Sequence, residues 1–249
     1  MRFLDARVQE DSVVEEVRTG GRVKLRGMAS IPRLAQTERS DTEPALVLTR
    51  PHKTSPNTTG ADTRLVDVGA AERAAAQLLA ALGADLDSDG LRETPRRMAA
   101  AYAELLTPEP FNLTTFPNEE GYDELVLVRD IPFESLCMHH LLPFHGVAHV
   151  AYLPDERILG LSKLARVVEH FSRDLQLQER LTAQVAGWLQ EHLCPKGVGV
   201  VIEAEHLCMS LRGVQKPGAL TITSALHGLV RDDPRTREEF LSLAGGSRR

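Results

Sequence analysis

The sequence predicts an α+β fold in which antiparallel strands form a sheet with helices on one face. Two observations carry the prediction. Helical spacing and strand-like alternation each occupy separate runs of the chain, and the strand-like runs come in pairs with turn residues between them.

The elements follow in order. Residues 1–61 stand apart, with one aromatic residue (Phe3) and a stretch rich in Thr, Pro, Asn and Gly, TRPHKTSPNTTGADT. Such a composition buries too little apolar surface to offset chain entropy, so a mobile extension is expected, with VVEEV and ALVLT as its strand-like pieces. From Val68, GAAERAAAQLLAALGADL has helix formers at helical spacing and a Gly at its end. After the acidic turn DSDG, LRETPRRMAAAYAELL predicts a second helix with Thr94 as N-cap and Pro95 at the first helical position. YDELVLVRDIPFESLC and HGVAHVAYLP read as strands. LSKLARVVEHFSRDL and QERLTAQVAGWLQEHL read as helices, the latter closed by Cys194-Pro195 and Gly197. GVGVVIEAEHLCMSLR and ALTITSALHGLV supply two closing strands. The expected organisation is an extension over 1–61 and one domain over 62–249.

Composition narrows the function classes. The chain has 249 residues, 42% hydrophobic and 26% charged, enough to bury a core without disulfides. No apolar run approaches the roughly 20 residues of a membrane helix, and the N-terminus is too charged for a secretory signal, so a cytoplasmic protein is expected. The net charge of −6 argues against broad nucleic-acid binding. Residues 1–60 carry 10 Lys+Arg and 8 Asp+Glu, leaving 19 and 27 for the remainder. If that acidic part binds a polyphosphate, its positive charge is concentrated locally. Three cysteines in a reducing compartment fit free thiols or metal ligands better than a disulfide scaffold.

Cys137-Met138-His139-His140 places a thiol and an imidazole three apart just after a strand, where both reach one ion from a turn. The spacing alone is a weak signal. In the strand expected around Cys208, Ile202, Ala204, His206, Cys208, Ser210 and Arg212 share a face, so an imidazole, a thiol and a guanidinium stand in line. Cys194 lacks such company and is expected as a buried thiol. Cys137, His140 and Cys208 make three ligands, the count of a catalytic zinc site that keeps one position for water. The alternative is a closed structural site with His139 or His206 as fourth ligand, which requires two adjacent histidines on one ion if His139 supplies it.

Ser162, Lys163 and Arg166 lie at a helix start, and Lys163 and Arg166 share a face. Such a pair is ordinarily a solvated helix face; beside Arg212 and Arg97 it becomes a candidate anion site. Glu179, after Gln178, is either a first-turn acid favoured by the helix dipole or a carboxylate accepting from guanine N1–H and the exocyclic amine.

These stretches, SLCMHHLLPFHGVAHVAYLP, GLSKLARVVEHFSRDLQLQERLT and GVGVVIEAEHLCMSLRGVQKPGALTITSALHG, flanked by LRETPRRMA and DPRTREEFL, resemble GTP cyclohydrolase I in order and spacing over roughly residues 65–243. The resemblance implies a tunnelling fold (T-fold) assembled as a toroidal homodecamer of two pentamers, with sites between subunits. It implies zinc (Zn2+) on Cys137, His140 and Cys208, and proton transfer by His139 and His206. It implies that Ser162, Lys163, Arg166 and Arg212 hold the triphosphate and ribose, assisted by Arg97 of a neighbour, and that Gln178 and Glu179 anchor guanine. The implied reaction converts GTP to 7,8-dihydroneopterin triphosphate and formate, opening pterin and folate-type biosynthesis. Met138 stands where the family often has Glu, and His227 where smaller residues are usual. A related tunnelling-fold enzyme acting on another pterin or a deazapurine, or a zinc- and GTP-binding sensor without catalysis, are the alternatives.

Overall fold

The computed structural model describes residues 66–245. The expected extension over 1–61, with VVEEV and ALVLT, lies outside the described residues. The Asp67 carboxylate accepts the Ala70 N–H at 2.8 Å and opens helix α1, Val68–Ala81. Gly83, at φ +85°, takes the left-handed backbone just beyond its end. Helix α2, Thr94–Leu105, starts one residue before the prediction: Glu93 holds the N-cap position and Pro95 sits in the first turn, where its missing N–H costs nothing. After these come β1 (Thr115–Pro117), β2 (Val126–Cys137), β3 (Pro143–Leu153) and β4 (Arg157–Leu159). Helix α3 (Leu161–Ser172), β5 (Leu175–Gln176), α4 (Gln178–Leu193) and β6 (Gly197–His206) follow. The chain then forms a single helical turn α5 (Leu207–Ser210), β7 (Leu220–His227), α6 (Gly228–Asp232) and α7 (Pro234–Ala244).

β1 and β4 pair as a small ribbon, and the main sheet has the order β5-β2-β3-β6-β7. β2, β3, β6 and β7 are antiparallel neighbours, as alternation predicts. The sheet is nevertheless mixed. β5 runs parallel to the end of β2, with Cys137 opposite Gln176, because the chain leaving α3 returns alongside β2 in the same direction. Alternation along β2 buries Ile131, Phe133 and Ser135 and exposes Pro132 and Glu134. A bulge between Val128 and Ile131 interrupts the register, with Asp130 at φ 55°.

The sequence predicts helices on one face of the sheet, but the helices cover both. α3 and α4 cover one face, where Leu164, Val168, Leu181 and Leu189 pack with Phe133, Phe144, Val150 and Ile202. α6 and α7 cover the other face at one end, where Val230, Phe240 and Ala244 pack on Ala151 and Val201. The parity of β6 explains both layers: Val200 and Ile202 point to one side, Gly199 and Val201 to the other. Phe240 lies directly over Gly199, where an added Cβ would meet the ring at 2.8–2.9 Å.

Two further expectations are corrected. The last β6 residue is His206, not Arg212. Its neighbour β3 pairs with β6 no further than Phe144, after which Pro143 lacks the N–H a ladder needs, and β7 pairs only as far as Glu205. Cys194 is exposed rather than buried, since it caps α4 in the left-handed region at φ 49° and turns its thiol onto the Glu191 carbonyl at 3.4 Å. Among the described residues no helix is long and apolar enough to cross a membrane.

Candidate metal centre and active site

The hairpin turn between β2 and β3 carries the first two candidate ligands. Cys137 ends β2, and its carbonyl accepts the N–H groups of His140 at 3.3 Å and Leu141 at 2.9 Å. Its own N–H donates to Leu142 at 2.9 Å, closing the turn. Leu141 adopts φ 53°, a conformation unusual for a branched side chain, and its carbonyl accepts the Tyr102 hydroxyl of α2 at 3.3 Å. The third candidate, Cys208, comes from α5 and not from a strand face. One helical turn after β6 brings its thiol back toward the hairpin.

The ligand atoms of Cys137, His140 and Cys208 all lie within 4.8 Å of one another. Cys137 Sγ is 3.7 Å from His140 Nδ1, against about 3.5 Å for a thiolate and an imidazole on one tetrahedral zinc. Burial, and then the neighbouring Cys137 thiol, push the Cys208 thiol up from its ordinary value. A divalent cation reverses that cost, so the donor set fits zinc. His139 is exposed, with Nδ1 4.0 Å from Cys137 Sγ and its ring edge-on to His140.

His206 stands beside this cluster at the end of β6. Its ring stacks on Phe144, directly opposite in the β3–β6 register. Its Nε2 meets Gln178 Oε1 at 2.8 Å. Gln178, implied as a guanine anchor, is 2% exposed, and its amide nitrogen donates to the carbonyls of Ile202 at 3.0 Å and Thr221 at 2.9 Å, with Thr223 Oγ1 at 3.2 Å. Those donations orient the amide so that its oxygen faces His206. The ring therefore carries its proton on Nε2, leaving Nδ1 as the second, uncommitted nitrogen. Burial draws His206 below the ordinary histidine range, opposed by the nearby Glu179 carboxylate.

The structure thus gathers Cys137, His140, Cys208, His206 and Gln178. Glu179 is exposed in the first turn of α4 and near enough to act on His206, and Arg212 is near enough to favour ionisation of Cys208. Two other basic candidates are engaged elsewhere. Arg166 pairs with Glu169 at 3.0 Å, and Arg97 reaches the Gly90 carbonyl at 3.4 Å and Thr94 Oγ1 at 3.5 Å. Ser162 and Lys163 lie in the first turn of α3, behind Gly160 at its N-cap. Among the described residues, no hydrogen bond or ion pair joins Ser162, Lys163, Arg166 or Arg97 to the cluster. Sequence reasoning did not find Phe144 or Tyr102, whose contacts depend on long-range register and on how α2 docks.

Comparison with known proteins bears on this arrangement. The family model described as GTP cyclohydrolase I matches residues 71–245. A protein of Aquifex aeolicus named GTP cyclohydrolase 1 is 52% identical over 181 residues, covering 73% of this chain and 98% of its own. Proteins of the same name from Streptococcus agalactiae and Mycolicibacterium vanbaalenii are 53% and 50% identical, covering 69% and 79% of this chain and 94% and 98% of theirs. Among solved structures, the apo form of the archaeosine synthase QueF-Like matches 42% of this chain and 93% of that one at 18% identity and a TM-score of 0.35, too slight to bear on the fold.

Proposed function

This chain belongs to the GTP cyclohydrolase I family, and from that premise we propose that it hydrolyses the purine ring of GTP and rebuilds the fragment as 7,8-dihydroneopterin triphosphate with release of formate. The observation that carries the reading is the three-ligand cluster of Cys137, His140 and Cys208 beside a histidine whose proton is placed by Gln178. Zinc held by those three residues supplies Lewis-acid chemistry at neutral pH. The protein's own share is positional and protolytic. His206, with Nε2–H committed to Gln178, takes or gives a proton at Nδ1, and its partial burial keeps the neutral ring accessible near neutral pH. His139, exposed at the mouth of the turn, is the second proton-transfer group. Glu179 accepts from the guanine N1–H and amine, a task for which the Gln178 amide oxygen, already accepting His206 Nε2–H, is not free.

A triphosphate needs several cations, and among the described residues one chain brings only Arg212 of the basic candidates to the cluster. The reading therefore places Ser162, Lys163, Arg166 and Arg97 at a site completed by neighbouring subunits of a toroidal T-fold assembly, a decamer of two pentamers. The sheet supports this. β7 is an edge strand with Leu220 50% and Ile222 63% exposed, and β2 is covered by β5 at its last two residues only. Two such open edges pair when copies stand side by side, which removes an aggregation hazard. A cytoplasmic location completes the reading.

The test is incubation of GTP with the full-length chain, with and without chelator. Formate and a fluorescent pterin are expected, lost on chelation and restored by zinc. A zinc-loaded protein that leaves GTP intact overturns the activity, and mass photometry giving an active monomer overturns the shared site.

A further inference from the structure

Gln176 is a polar side chain 1% exposed, placed on the two-residue strand that lies against the last residue of β2. Both ends of its amide are held by named partners. The amide nitrogen donates to the Phe171 carbonyl and to Gln184 Oε1, both at 2.8 Å, and the amide oxygen accepts Arg180 Nε at 2.8 Å. Arg180 also donates through its second arm to the Leu175 carbonyl. Both the side chain and the main chain of β5 are thus tied to α4. Two residues are too few to hold a strand in register by their own ladder, so this network sets where β5 sits. To the ligand turn β5 presents the Gln176 carbonyl, which accepts the Met138 N–H at 3.0 Å. Met138 is the residue between the ligand Cys137 and the two histidines. That bond anchors the first peptide of the ligand turn from outside the hairpin.

We propose that Gln176 is a positioning residue of the metal centre: its buried amide, clamped by Arg180 and Gln184, holds the carbonyl that fixes the Met138 end of the turn and so the spacing of Cys137 and His140. The inference rests on the zinc reading of the cluster and deepens it. It also accounts for position 138. The Met138 side chain is 42% exposed and the residue is bound through its backbone, so the tie is indifferent to which side chain stands there. A role confined to stability predicts uniform weakening of the fold. A positioning role predicts a change at the metal, because outer partners that orient ligands act on affinity and coordination geometry.

The experiment uses the full-length chain stripped by chelator and titrated with cobalt(II) and with zinc against a competing indicator. The wild-type titration tests the centre itself: a wild type that binds neither ion overturns the zinc reading, and Gln176 is judged only against a wild type that binds. Gln176→Leu is expected to bind zinc about 10- to 100-fold more weakly and to shift the cobalt ligand-field bands. Phe240→Leu, in the separate cluster on the other face, is the control for general destabilisation and is expected to leave both unchanged. Wild-type affinity and spectrum in Gln176→Leu overturn the proposal, as does an equal weakening in Phe240→Leu. If Gln176→Leu does not fold, Arg180→Met, which keeps the amide and removes its clamp, decides by the same two readouts. An unaltered cobalt spectrum and zinc affinity in that variant overturn the proposal.

Discussion

His206 lies flat on Phe144, their ring centroids 4.6 Å apart and their planes 1° from parallel. The two residues are paired across β3 and β6, so the sheet register itself orients the imidazole. Gln178 then selects which nitrogen carries the proton. His206→Ala is expected to lower pterin formation by at least about 10²-fold while zinc content and GTP binding persist. Metal analysis and equilibrium binding beside the activity assay check this, and wild-type turnover removes His206 from the chemistry.

Cys208→Ala takes one of three donors from the cluster. The expected outcome is loss of both metal and activity. Stoichiometric zinc in the purified variant contradicts the ligand assignment.

Gln178→Leu strands the Ile202 and Thr221 carbonyls and leaves His206 without its acceptor. Unmet buried polar groups cost about 1–3 kcal/mol each, so denaturant unfolding is expected to show a loss of at least about 3 kcal/mol. Activity is expected to fall by about 10²-fold with zinc retained. A variant matching wild type in both measurements refutes the role of the amide.

Gly199→Val places methyl groups where even a Cβ comes within 2.8–2.9 Å of the Phe240 ring. Overpacking of this kind costs about 1–3 kcal/mol. Pairing Gly199→Ala with Phe240→Leu is expected to be less destabilised than Gly199→Ala alone, which chemical denaturation measures directly.

His170 contributes to the acid limb of stability. Its Nδ1 is buried without a partner among the described residues, and the ring meets Phe111 and Phe171 edge-on. Burial lowers its pKa below the ordinary 6.5. The unfolded chain therefore takes up the proton first, and stability falls as pH drops through 6.5 toward the lower folded value. His170→Phe is expected to flatten that part of the profile of melting temperature against pH, and an unchanged slope assigns it to other groups.

Long-range pairing decides which of these features the sequence could reveal. The alternation of Ile131, Phe133 and Ser135 marks the buried face of β2, and Cys137 and His140 are visible together because their spacing is local. The continued alternation through Cys208 and Arg212 suggested a strand that the structure ends at His206, because a strand stops where its neighbours stop. Cys208 still reaches the cluster, by a helical turn. β5 is too short for any pattern to register. The amide of Gln178 looks available to a ligand until Ile202 and Thr221, 24 and 43 positions away, are brought beside it. α6 and α7 belong to the second face because Gly199 leaves room for Phe240, a fit of shape that hydropathy does not encode.

The outward turn of Cys194 gives the molecule a built-in gauge of folding. Of the three thiols, Cys194 is exposed, while Cys137 and Cys208 are buried in the cluster. A maleimide offered to the native protein should consume one equivalent, and the stripped, unfolded chain three, so a simple thiol count reports what fraction of a preparation is folded.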